Sequence, residues 1–215
     1  MDYKTVYQGG RAEVIEKKSR FIANIFPVSS EEEAQDYLEN IKKQYWDARH
    51  HCWAYIIGTG NVLERCSDDG EPSGTAGKPI LEVIKGQSLH NVFIVVTRYF
   101  GGTLLGTGGL VRAYTAAARE GLLHSMIITR IQGIKLKIKT DYTGLGKIQY
   151  LLAQRGLSTL ETEYTDLVEM TVIVPLSEEQ AVIGAITEGT NGKSDITQIG
   201  KCWFAQIGQE IKIFE

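Results

Sequence analysis

The sequence predicts an α+β protein of two domains, and three observations lead there. A near-continuous apolar run, "NVFIVVTRYF" (91–100), bounded by turn residues on one side and glycines on the other, reads as a buried strand inside a mixed sheet. The alanine-rich "GLVRAYTAAAREGLLHS" that follows is helical in composition, with a stop near Ser125. From Ile131 the pattern starts afresh, and its order β-α-β-β-α-β is that of a ferredoxin-like sandwich. The boundary is expected at Thr129–Gln132, giving domains 1–130 and 131–215.

Taken in order, "RAEVIEKKSRFIANIFPV" holds two apolar stretches broken by Glu16-Lys17-Lys18-Ser19, a hairpin from about Glu13 to Val28. Ser30 with Glu33 has capping-box spacing, and Ala34, Leu38, Ile41 and Tyr45 recur at helical intervals, so a helix is expected over 30–45. "HHCWAYIIG" is a strand with "NVLERCS" as its hairpin partner across "GTGN". "DDGEPSGTAGKP" is turn chemistry throughout, and "AGKPILEVIKG" is a short helix opened at Pro79 or just before and closed at Gly86. In the second domain Ile134, Leu136 and Ile138 alternate on one strand face, and "TGLGKIQYLLAQRG" is a helix with Gly156 at its C-cap. A hairpin turns near Thr165-Asp166, a helix opens at Ser177 with Gln180 in capping-box spacing, and "DITQIGKCWFAQI" is the last long strand, with "QEIKIFE" as an extra edge.

The bulk numbers bound the function. A hydrophobic share of 43% with 23% charged residues is that of a soluble globular chain, and 215 residues can bury a real core. No apolar run approaches a membrane span, and the charged N-terminus does not fit a signal peptide, so a cytoplasmic protein without membrane contact is expected. Cys52, Cys66 and Cys202 are odd in number and unpaired in spacing, which argues against disulfides and structural zinc. A net charge of −3 lacks the global basic footprint of a strong nucleic-acid binder. Residues 1–130 carry 15 basic and 15 acidic side chains, so any nucleic-acid contact needs a local patch.

One such patch is suggested by "RYFGGTLLGTGGLVRAY" (98–114). A strand ending in glycines and entering a helix presents free N–H groups and a positive dipole end to an anion. The pattern is neither a P-loop nor an ordered dinucleotide fingerprint. Gly101, Gly102, Gly106, Gly108 and Gly109 therefore serve either an anion site or backbone geometry alone. Arg98 and Arg112 bracket the loop, as phosphate forks or as salt-bridge partners of Asp68, Asp69, Glu71 or Glu82. Tyr99, Phe100 and Tyr114 are stacking candidates or core residues. Asp69, Gly70, Glu71, Pro72, Ser73, Thr75 and Lys78 form a supporting loop that would join the site by folding over the glycines. His50 or His51 could face it as an acid-base group, with His51 preferred. Asp68, Asp69 and Glu71 lack the spacing of a calcium loop, and no metal or cofactor is expected. No nucleophile motif demands catalysis.

"SDDGEPSGTAGKPIL" followed by "NVFIVVTRYFGGTLLGTGGLVRAY", with "HHCWAY" upstream, closely resembles the signature of the IMPACT family, especially its bacterial YigZ-type branch, and the likeness is close to full length. The resemblance implies an N-terminal domain similar to the second domain of ribosomal small-subunit protein five, a fold shared with translational GTPases and GHMP-type kinases. It implies a C-terminal domain similar to ferredoxin-like domains of the ribosomal translocase. Eukaryotic members regulate translation under amino-acid starvation through a protein partner, bound by a preceding domain for which residues 1–12 are too short. The expectation is a non-enzymatic, translation-associated protein touching RNA or the ribosome. Two alternatives are an enzyme on a small phosphorylated ligand, GHMP-kinase-like or otherwise, in a cleft between the glycine and "DDGEPSG" loops, and a module that binds a protein partner.

Overall fold

The computed structural model describes residues 2–208 and 210–214; Gln209 and Glu215, assigned above to the last strand, lie outside them. In chain order the elements are β1 (Tyr3–Gln8), β2 (Arg11–Glu16), β3 (Ser19–Pro27), α1 (Glu31–Gln44), β4 (His50–Ile57), β5 (Leu63–Ser67), α2 (Gly77–Gly86), β6 (Val92–Tyr99) and α3 (Gly106–Leu123). Then come β7 (Met126–Thr140), α4 (Tyr142–Gln154), β8 (Thr159–Tyr164), β9 (Val168–Pro175), α5 (Glu179–Gly189), β10 (Asp195–Ile207) and β11 (Glu210–Phe214). One unit is Tyr3–Thr129; the other comprises Asp2 and the described residues from Arg130 onward, so the division falls inside β7.

In the first unit five antiparallel strands run in the order β2-β3-β6-β4-β5. β6 is central, and it is apolar from Val92 to Val96 because both its faces are covered. Val92, Ile94 and Val96 join the cluster with α2 and α3, whereas Phe93 and Val95 join the cluster with α1. α1 starts at Ser30, whose side chain accepts from the Glu33 N–H, and it buries Ala34, Leu38 and Ile41. Glu33 accepts from the Ser29 N–H at 2.6 Å, one residue earlier than the capping-box spacing predicts. β1 was not anticipated; it pairs with β7.

The second unit carries the order β11-β10-β7-β9-β8, all antiparallel. Without β11 this is the fourth-first-third-second order of a ferredoxin-like sheet. Ile134, Leu136 and Ile138 pack on Ile148 and Leu152 of α4 and on Val182 and Ile186 of α5. The Ser177 cap did not form: Leu176–Glu178 is a 3₁₀ turn leading into α5, so Ser177 sits inside a turn rather than ahead of one, and Glu178 holds the cap position without a side-chain hydrogen bond. Among the described residues no helix is long and apolar enough to cross a membrane.

Candidate functional site

The glycine stretch is not one loop. Residues 100–105 connect β6 to α3, and the helix begins at Gly106, so Gly106, Gly108 and Gly109 lie in its first turn. Gly106 has φ +73°, a turn into the helix that an L side chain disfavours. Leu105 holds the cap position without a side-chain hydrogen bond, and among the described residues no side chain accepts from the first N–H groups of this 18-residue helix. Gly106, Thr107 and Gly108 are exposed around it. Arg112 is exposed too, with Nη1 3.5 Å from where a Cβ on Gly108 would stand, and among the described residues it forms no ion pair.

Gly101 is required by close approach. Its N–H donates to Ser19 Oγ at 3.1 Å, and a Cβ there would lie 2.0 Å from the Lys18 carbonyl carbon. That contact seats the β2–β3 turn against the loop. Lys17 and Lys18 form the turn with φ of 46° and 68°, both are exposed, and they add two cations to the corner. They were overlooked in the sequence because a lysine pair in a hairpin turn looks like a solvated tip. Phe100 is 54% exposed beside them. Tyr99 is half-buried, donates its hydroxyl to Asp47 at 2.7 Å, and lies under the Arg20 guanidinium at 5.4 Å. Burial and the Asp47 carboxylate push its hydroxyl up to about 12.

Arg98 takes the salt-bridge alternative. It lies on the same β6 face as Val96, buried, and its Nη1 donates to Glu71 Oε1 at 2.7 Å. The fully buried Tyr114 hydroxyl donates to the same oxygen at 2.8 Å. Cys52 Sγ lies 3.3 Å from that hydroxyl and 3.0 Å from the Asp68 carbonyl oxygen. Burial pushes both the Tyr114 hydroxyl and the Cys52 thiol well up, so neither ionises in the folded protein. Arg98 also lies 5.5 Å from the Phe21 ring and 5.6 Å from the Phe100 ring. Of the two bracketing arginines, then, the structure turns one inward and the other outward.

The supporting loop turns inward with Arg98 rather than over the glycines. Asp68 accepts from the N–H groups of Gly74, Ala76 and Gly77 at 2.8, 3.0 and 2.8 Å. Burial pushes its carboxyl up, but these three bonds outweigh that and hold it below the usual range. Asp69 accepts from the His51 N–H at 2.6 Å, and Thr75 Oγ1 donates to the Pro72 carbonyl at 2.6 Å. Gly70 lies against His50. Ser73 and Lys78 stay exposed, as does Pro72. The three carboxylates of Asp68, Asp69 and Glu71 thus go to three different partners instead of converging.

His51 is buried, with Nδ1 3.1 Å from Thr97 Oγ1. It does not open onto the glycine corner as an acid-base group. Burial lowers its pKa from the ordinary 6.5, and the nearby Asp69 only partly opposes this. A depressed histidine stabilises the fold while neutral, so its contribution is complete above pH 6.5 and is lost as the pH falls through the lower folded value. The urea midpoint is therefore expected to drop on acidification below that pH, and His51→Gln is expected to flatten part of the drop. An unchanged pH profile in the variant would show that His51 does not carry it.

The comparisons with known proteins follow the same division. Residues 17–122 match the Impact N-terminal domain and residues 138–193 match a domain of unknown function, DUF1949. IMPACT family member YvyE of Bacillus subtilis is 45% identical over 91% of this chain and 90% of its own length. IMPACT family member YigZ of Escherichia coli is 32% identical over 85% of this chain and 91% of its own. A solved structure described as the crystal structure of an hypothetical protein superposes with a TM-score of 0.58 at 30% identity, covering 93% of this chain and 98% of that one. With both domains matched in order, and relatives aligned over most of both chains, this chain belongs to the IMPACT family, in its bacterial branch.

Proposed function

We propose that the protein is a non-enzymatic, translation-associated binding protein that contacts RNA, free or within the ribosome, through the corner where the β2–β3 turn meets the start of α3. The observation that carries the reading is the exposed set of Lys17, Lys18 and Arg112 around a helix N-terminus without a side-chain cap among the described residues, with Phe100 exposed beside it. Cations and open N–H groups suit phosphate, and an exposed ring suits a stacked base. Gly102, Gly106 and Gly108 leave room for backbone approach, whereas Arg98, Gly101 and Gly109 shape the corner from beneath. The family setting, in which eukaryotic members regulate translation, supports the same direction. The acidic chain as a whole confines the contact to this local patch.

The test is fluorescence anisotropy of a labelled single-stranded RNA across a salt series. Each phosphate neutralised on a single strand contributes a slope of about −0.7 in log K against log salt. Replacing Lys17, Lys18 and Arg112 together by glutamine is expected to make the slope shallower by about 2 and to weaken binding at every salt concentration. Absence of binding at low salt, or a slope unchanged by the triple substitution, would overturn the reading.

A further inference from the structure

The α1 side of the first unit holds a cavity of about 560 Å³ that the RNA reading does not use. Trp53 and Tyr55 of β4 stand side by side in it, their rings parallel within 5° and 5.5 Å apart. Phe93 of β6 meets both edge-on, at 6.1 and 6.3 Å. Tyr55 and Phe93 are buried and Trp53 is half-buried, so the open part of this aromatic floor is Trp53. Glu31, Glu32 and Asp36 of α1 stand along one side, and among the described residues Arg65 of β5 is the single cation lining it.

These charges are not equally engaged. Glu31 accepts from the Tyr55 hydroxyl and pairs with Arg65 at 3.2 Å, which ties one acid to the groove's own wall. Glu32 is engaged with Ser30 at the helix start, where a negative charge suits the dipole. Asp36 has neither role. It lies beyond the first turn of α1, four residues after Glu32, and among the described residues it has no ion pair. Like charges four apart on one helix face repel, so Glu32 and Asp36 cost the helix something unless a cation from outside answers them.

We propose that this groove receives an arginine side chain of a protein partner, its guanidinium stacked on the open part of the Trp53 ring and paired with Asp36 and Glu32. A guanidinium fits because it is planar, is weakly hydrated, stacks on aromatic faces and forks onto carboxylates. An ammonium has the charge without the plane, so lysine binds more weakly. Phosphate is repelled by the acidic wall, which excludes RNA from this site. The inference does not depend on the RNA reading, because none of its residues belongs to the glycine corner.

The experiment is isothermal titration of the full chain with a capped Arg-Leu-Arg peptide and its lysine and glutamate analogues, with the melting temperature measured for every variant. Saturable binding of the arginine peptide is expected, weaker binding of the lysine analogue, and none of the glutamate analogue. Asp36→Lys and Trp53→Leu should each weaken the arginine peptide about tenfold, whereas replacing Lys17, Lys18 and Arg112 should leave it unchanged. If Trp53→Leu lowers the melting temperature, the exposed Asp36→Lys alone decides. No binding of the arginine peptide, equal binding of the glutamate analogue, insensitivity to Asp36→Lys, or displacement of the peptide by RNA would each overturn the proposal.

Discussion

Replacing Glu71 by alanine is expected to destabilise the protein by about 3–5 kcal/mol, because it leaves the Arg98 guanidinium buried without its counter-charge. The side chains of Arg98 and Glu71 are only 8% and 3% exposed, so solvent cannot replace the lost carboxylate. Among the described residues Arg98 Nε has no hydrogen-bond partner even in the intact protein, and the Tyr114 hydroxyl would lose its acceptor as well. Glu71→Leu combined with Arg98→Met removes both charges at once and is expected to recover most of the loss, since burying an ion pair gains little over burying apolar groups of similar volume. Urea unfolding measures the single and double variants. A single substitution costing no more than a surface change, under about 0.5 kcal/mol, would show that the pair does not hold the loop. The same double variant bears on function: if Arg98 only shapes the corner, RNA affinity survives its replacement.

The second large effect is expected at Asp68. Its carboxylate accepts from three backbone N–H groups, and two of them, on Ala76 and Gly77, open α2, whose cap residue Ala76 offers no side chain of its own. Asp68 thus caps a helix from eight residues upstream, and α2 in turn supplies Ile80 and Ile84, both fully buried, to the main core. Asp68→Ala is expected to cost about 3 kcal/mol, since a hydrogen bond to a charged acceptor contributes about 1.5–3 kcal/mol and the donors left behind are partly buried. The folded pKa lies below the ordinary 3.8, so the stabilisation is present above that pH and is lost as the pH falls through the folded value. Urea midpoints of the parent and of Asp68→Ala should therefore converge in strong acid. Parallel profiles down to the acid limb would mean that the carboxylate charge is not what caps the helix.

Much of the fold was legible because it rests on short-range patterning. Alternation at Ile134, Leu136 and Ile138, the 3.6-residue spacing of Ala34, Leu38 and Ile41, and the Ser30 cap each depend on a few neighbouring residues, and each appears in the structure. β1 escaped notice because a short strand with mixed burial has no distinctive period. The Ser177 cap failed because the same four-residue spacing is compatible with a 3₁₀ turn.

The site was legible in composition but not in arrangement. Arginine, glycine and aromatic residues mark the corner in the sequence, yet Arg98 and Arg112 are the same residue type on either side of the same glycines. Their fates separate because Arg98 shares a buried face of β6 with Ile94 and Val96, at the period of two that a strand imposes. Arg112 lies two residues from the buried Tyr114 and so faces away from it on α3.

By itself the sequence determined the elements other than β1, their order and the family, since these follow from local periodicity and from a long uninterrupted motif. Only the tertiary structure decided which charges are spent and which are free. Glu71 reaches Arg98 across 27 residues, and Ser19 brings the Lys17-Lys18 turn to Gly101 across 82. Contacts at such separations are set by sheet register and loop closure, which no local window of residues records.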